Sequence, residues 1–170
     1  MQVDVKLSGL DGVLEALRKL PPEVVSKNGG PVRVALRKAA QVFVKQARIN
    51  FGAAVAMAGV SGITDTTGFT QQQITAKRGR KMPAGVKGER QLVTVRYVPH
   101  PNGNTFRGRP IRANDIAFVM EHGSSKQPAT PWLKPAFEAK APEALATIET
   151  ELPRAIGRAA RKLGFKTEGM

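Results

Sequence analysis

Gly123, Pro128, Pro131 and Pro135 crowd into one short stretch, and no other part of the chain restricts its own backbone so heavily. Each proline fixes φ near −65° and removes a backbone donor. Gly123 can take the positive φ that ends a regular element, a freedom other residues lack. The stretch runs Phe118-Val-Met-Glu121-His-Gly-Ser-Ser-Lys-Gln-Pro-Ala-Thr-Pro-Trp132-Leu-Lys-Pro-Ala-Phe137-Glu. Its start is short and β-prone, which predicts a strand ending at Glu121. Thr130-Pro131 reads as an N-cap followed by proline at the first helical position. Trp132, Leu133 and Phe137 should be buried and dock the following helix. The whole is a device that sets a fixed angle between a sheet edge and a long helix.

Elsewhere the pattern predicts both periods. Val3, Val5 and Leu7 alternate with polar residues, as in a half-buried strand, and Leu10, Val13, Leu14 and Leu17 recur at helical spacing up to Pro21-Pro22. A long helix is expected from Pro31 to about Phe51, with Val32, Leu36, Ala39, Phe43, Ala47 and Phe51 on its apolar face. Ala35, Ala39, Ala40 and Ala47 would let another copy approach closely. Gly52 to Gly68 is small and polar and reads as a loop. Gln73–Lys77, Gln91–Val98 and Ile116–Glu121 read as strands, with irregular basic segments between them. A closing helix is expected from Pro131 to Leu163, kinked or broken at Pro142 and Pro153. Its stripe is Phe137, Ala141, Leu145, Ile148, Leu152, Ile156 and Leu163. The tail 164–170 should fray. The expected fold is therefore α+β: one domain over 1–170, a small, mainly antiparallel sheet flanked by the two long helices, and a loop- and hairpin-rich basic region over 53–113.

Hydrophobic residues make up 41% of the chain, which supports a real core, while aromatics at 5% leave that core to Leu, Val, Ile and Ala. The absence of cysteine excludes disulfides and thiolate metal sites and fits a reducing cytoplasm. No run approaches the roughly 20 apolar residues of a membrane span, and the N-terminal Met1-Gln-Val-Asp-Val-Lys has no signal-peptide apolar region.

The net charge of +14 exceeds what solubility requires and attracts polyanions or acidic protein surfaces. Arg33, Arg37, Lys45 and Arg48 line one side of the first long helix, where like charges one turn apart repel by a few tenths of a kcal/mol. A second group spans Lys77, Arg78, Arg80, Lys81, Lys87, Arg90, Arg96, Arg107, Arg109 and Arg112, with Glu89 the single acid among them. Arg107-Gly-Arg-Pro110 resembles the core of an AT-hook, whose extended Arg-Gly-Arg enters a narrow minor groove. Few aromatics interleave these cations, which argues against stacking on single strands. The bland alternatives are a solvated face and pairing with acidic neighbours.

Catalytic chemistry finds no support. His100 and His122 are isolated, and Ser124, Ser125 and Lys126 read as a turn rather than a Ser–Lys pair. No paired carboxylates, metal-ligand spacing or phosphate-cradling loop is present. No enzyme activity, metal or cofactor is expected.

The run from Glu121 to Phe137, with Gly123, Pro128, Pro131, Trp132, Leu133 and Pro135 in register, resembles the signature of the tail-completion, or head–tail joining, family of long-tailed bacteriophages, related to minor tail protein Z-like proteins. His122 stands where that family usually has an aromatic residue, and the Gly- and Arg-rich segment over 53–113 is longer than in many members. The resemblance implies a structural virion protein in the phage neck. It would form a homo-oligomeric ring, six-fold by expectation, between the head connector or stopper protein and the tail terminator or tail tube protein. DNA would pass through the lumen without being read, no membrane would be involved, and assembly would take place in the host cytoplasm. The alternatives are a tail terminator ring and a non-specific cellular DNA-binding protein.

Overall fold

Alanine-rich sequence makes the first long element. A computed structural model of the chain describes residues 30–58, 65–79 and 89–162, and α1 covers Gly30–Ala58. It continues past Phe51 through Gly52-Ala-Ala-Val-Ala-Met-Ala, which the sequence reading gave to a loop. Alanine has the best helix propensity, and the buried Phe51 and Ala54 anchor that turn. The expected strand at 2–7, the helix that follows it, and the tail 164–170 lie outside the described residues.

A short helix, α2 (Phe69–Gln73), leads into β1 (Ile74–Arg78), which pairs with β2 (Gln91–Val95) in an antiparallel two-stranded sheet. The segment once expected to be irregular, 99–112, contains a second antiparallel pair, β3 (Thr105–Phe106) with β4 (Arg109–Pro110). Backbone bonds from His100 N–H to Ile111 O (2.8 Å) and from Ile111 N–H to Asn104 O (2.9 Å) hold its base together.

The third expected strand, Ile116–Glu121, is instead part of a helix, α3 (Ala113–His122). Arg112 stays extended before it, and its N–H donates to the Asp115 carboxylate at 3.1 Å, which also suits the helix N-terminus. Ala113, Ile116, Ala117, Met120 and Glu121 are buried at helical spacing. Phe118, read as β-prone, faces out at 63% exposure. A short apolar run is ambiguous by periodicity alone, and here the spacing of the residues that find a core settles it as helix.

The closing helix, α4 (Leu133–Lys162), keeps helical backbone through Pro142 and Pro153. Each proline deletes one helical donor, the one that would reach Glu138 or Glu149. Both prolines and both glutamates are exposed, so water can serve the freed carbonyls.

The described residues fall into two compact units. The first takes in 30–42, 77–79, 89–92 and 141–162. It buries Ala35, Ala39 and Ala40 of α1 and Ala144, Ile148, Leu152, Ala155 and Ile156 of α4. The second takes in 43–58, 65–76 and 93–140. Its core joins Val44, Ala47, Phe51 and Ala54 to Ile74, Ile116, Ala117, Met120, Trp132 and Ala136. The alanines expected to admit another copy are thus already covered inside the chain.

Candidate functional site

The signature residues assemble one corner of the second unit. Gly123 ends α3 with φ 77°, and its N–H donates to Val119 O at 2.7 Å. A Cβ there would stand 2.8 Å from Ala129 N and 3.0 Å from Gln127 O, so glycine is required by conformation and by space. Ser124 and Gln127 then exchange backbone bonds of 2.8 and 3.3 Å across a tight turn that Ser125 and Lys126 make. Thr130 N–H returns to Met120 O at 2.7 Å. Pro128 lies against Gly123 within the same turn.

The cap of α4 is not Thr130 but the buried carboxylate of Glu121. Its Oε2 accepts from the N–H groups of Trp132 and Leu133, each at 2.8 Å, and its Oε1 from Lys134 at 3.1 Å. Pro135 has no N–H, so all donors of the first turn are accounted for. Three charge-assisted bonds and the positive end of the helix dipole offset the burial of that charge. Pro131 precedes the cap in an exposed position.

Trp132 is 3% exposed, donates Nε1–H to Ala117 O at 3.0 Å, and meets Phe51 edge-on at 5.2 Å. Its own carbonyl accepts from Asn50 Nδ2 at 3.1 Å. Leu133 is half-buried against the core. Phe137, expected to be buried, is half-buried and stacks on Phe43 with centroids 4.4 Å apart; its neighbour Ala136 takes the core position. The corner is therefore two helices locked by a carboxylate, rather than a strand meeting a helix.

The cations proposed to face a partner are in varied settings. Arg33, Arg37 and Lys45 project from α1 into solvent. Arg48 instead donates from Nε and Nη2 to Ile74 O at 3.2 and 2.8 Å, and from Nη2 to Gln72 O at 3.2 Å, tying α1 to the start of β1. Arg78 pairs with Glu89 through Nε–Oε2 at 3.0 Å and Nη2–Oε1 at 2.5 Å. Arg112 lies over the Tyr97 ring, 4.0 Å from its centroid, and bonds its hydroxyl. Arg80 and Lys81 lie outside the described residues.

Arg107 and Arg109 are exposed on the β3–β4 hairpin. Arg107 (φ 51°) and Gly108 (φ 75°) form the two-residue turn, with the paired positive φ of a type I′ hairpin. The Arg-Gly-Arg run is thus bent into a turn tip, not the extended form an AT-hook core uses.

One buried polar cluster was not anticipated. Asp65 Oδ1 accepts from Thr67 N–H at 2.9 Å and Thr67 Oγ1 at 2.5 Å, and Oδ2 accepts from Thr70 N–H. His100 Nε2 lies 3.1 Å from Asp65 Oδ1, and His100 Nδ1 accepts from Asn102 N–H at 3.3 Å. Burial pushes the Asp65 carboxyl up, but the bonds from Thr67, Thr70 and His100 outweigh it and hold the group well below the usual carboxylate range. The pair is almost fully enclosed, with 0% exposure for the Asp65 side chain and 1% for that of His100, so it locks α2 to the loop at 97–104 rather than meeting a substrate. Asp65-Thr-Thr-Gly-Phe has the form of an Asx turn entering a helix, the sequence signal that could have found it.

Among the described residues, no group of three or more metal-ligating side chains converges, and no helix is long and apolar enough to cross a membrane. No family model, curated protein or solved structure matches the chain.

Proposed function

We propose that the chain is a non-enzymatic structural protein of a phage neck, forming a ring that joins the head connector to the tail and leaves a channel for DNA. The observation that carries this reading is the corner at 121–137. The residues of the resemblance are those whose roles are geometric: a cap, a turn glycine, a buried indole. A signature that encodes an angle between helices suits a protein whose work is to build and register with neighbours.

Exposed apolar side chains support the oligomer. Ile49 (64% exposed) and Met57 (80%) stand out from α1, and Phe118 from α3. A contact between copies that covered these three side chains would remove apolar surface from water. A ring needs a heterologous contact that closes. The excess of positive charge supports a polyanion in the lumen, held without sequence reading.

The test is assembly. Mass photometry of the purified protein alone and with candidate connector and tail proteins, followed by electron microscopy of virions carrying a labelled chain, should show a discrete ring with a central channel at the neck. A chain that remains monomeric in the assembled virion overturns the proposal.

A further inference from the structure

In the first unit, three cations converge on one carboxylate. Lys38 Nζ lies 2.5 Å from Glu151 Oε2, Arg154 Nη1 3.6 Å from Oε1, and Arg158 Nη2 4.0 Å from Oε2. The Glu151 side chain is 14% exposed, whereas those of Lys38, Arg154 and Arg158 are 48%, 65% and 50% exposed. The carboxylate therefore sits low and the cationic heads stand above it.

Two structural explanations cover part of this arrangement and not the rest. The helix dipole favours cations only in the last turn, and α4 ends at Lys162. That accounts for Arg161 and Lys162 but not for Arg154 and Arg158. One carboxylate neutralises one unit of positive charge, and Lys38 already holds Glu151 at the shortest distance. Arg154 and Arg158 are one turn apart on the same helix and repel each other. α1 carries no acid, and α4 carries none C-terminal to Glu151, its other glutamates being Glu138, Glu143 and Glu149. The cluster is left with an excess of positive charge held in place by its own counter-ion.

We infer that Lys38, Arg154 and Arg158, organised by Glu151, form a phosphate clamp for the backbone of duplex DNA. The inference rests on the neck reading for its ligand, and it names the surface that would meet the nucleic acid. The chemistry is backbone contact: two guanidinium groups and an ammonium suit phosphate oxygens. None of the four side chains is an aromatic ring or an amide suited to pairing with adenine. Glu151 draws the cations together before DNA arrives and lowers their mutual repulsion.

The experiment measures binding of the full chain to mixed-sequence duplexes by fluorescence anisotropy between 50 and 200 mM salt, with mass photometry on the same samples. Each phosphate contact contributes about 0.9 to the salt slope. Arg154→Gln with Arg158→Gln should lower affinity about tenfold or more at 100 mM salt and reduce the slope by about 2. Arg33→Gln with Arg37→Gln removes the same charge from α1 and should do clearly less. Equal losses from the two pairs, or none from the first, overturn the clamp. Should the first pair fail to fold, pyrophosphate titrated into the wild-type chain must shift the arginine side-chain resonances of 154 and 158; silence there overturns it equally. A wild-type chain that forms rings but has no DNA affinity at 50 mM salt overturns the clamp and leaves the neck reading standing. A chain that binds DNA through these residues but never forms rings keeps the clamp and removes the neck reading.

Discussion

Asp65 shows how a single buried charge is kept. Its carboxylate would be costly in a desolvated site without partners. The donors from Thr67 and Thr70 and the nearby His100 ring make the ionised form the favoured one. Because its folded-state pKa lies below the ordinary 3.8, it contributes stability that is fully present above that value and is lost as pH falls toward the folded pKa. Asp65→Asn should therefore destabilise the chain at pH 7, and its deficit relative to wild type should shrink steadily below about pH 4. Denaturant titrations of both chains from pH 7 down to pH 2.5 measure this; a deficit unchanged across that range would remove Asp65 from the acid response. The pair also shows the limit of reading residues in isolation. His100 and Asp65 are far apart in the chain, and neither carries a local signal of the other.

Among the elements, the coupling of α3 to α4 depends on Glu121. Replacing it with Ala strands the N–H groups of Trp132, Leu133 and Lys134, the first in a buried and the other two in a half-buried setting. Leaving such donors unpaired costs about 1–3 kcal/mol each before water or relaxation relieves them. The net loss for Glu121→Ala should be about 2–4 kcal/mol by chemical denaturation. Glu121→Gln keeps one acceptor oxygen and should lose less. Equal, small losses for both would mean that the corner is held by Trp132 and the turn alone. Much of this corner was legible beforehand: the glycine at a positive φ, the proline-rich turn and the buried indole all follow from residue type. The helix on its N-terminal side was not. Phe118-Val-Met-Glu121 is too short for its own period to decide between strand and helix. It became a helix because Ile116, Ala117 and Met120 meet the core on one face.

At the scale of the whole molecule, charge is the property most directly carried by composition. The +14 balance predicts polyanion affinity that is steep in salt and indifferent to base sequence. Arg107 and Arg109 belong to that diffuse field, since a hairpin tip cannot lie extended in a minor groove. Arg107→Gln with Arg109→Gln should weaken DNA binding modestly and equally on A·T-rich and G·C-rich duplexes. A selective loss on A·T-rich duplexes would restore the minor-groove reading.

By itself, the sequence determined the α+β class, the two long helices, the first pair of strands, the turn at Gly123 and the cationic balance. These follow from local steric preference, from hydrophobic periodicity over long windows and from simple counting. Only tertiary structure decided that α3 is a helix and that Glu121 caps α4. It alone paired Asp65 with His100, tied Arg48 to backbone carbonyls and gathered Lys38, Arg154 and Arg158 around Glu151. Each is a contact between residues distant in the chain, where burial raises the cost of an unpaired charge or donor and so selects the partner. The physical rule was available in advance, but the neighbour to which it applied came from the fold.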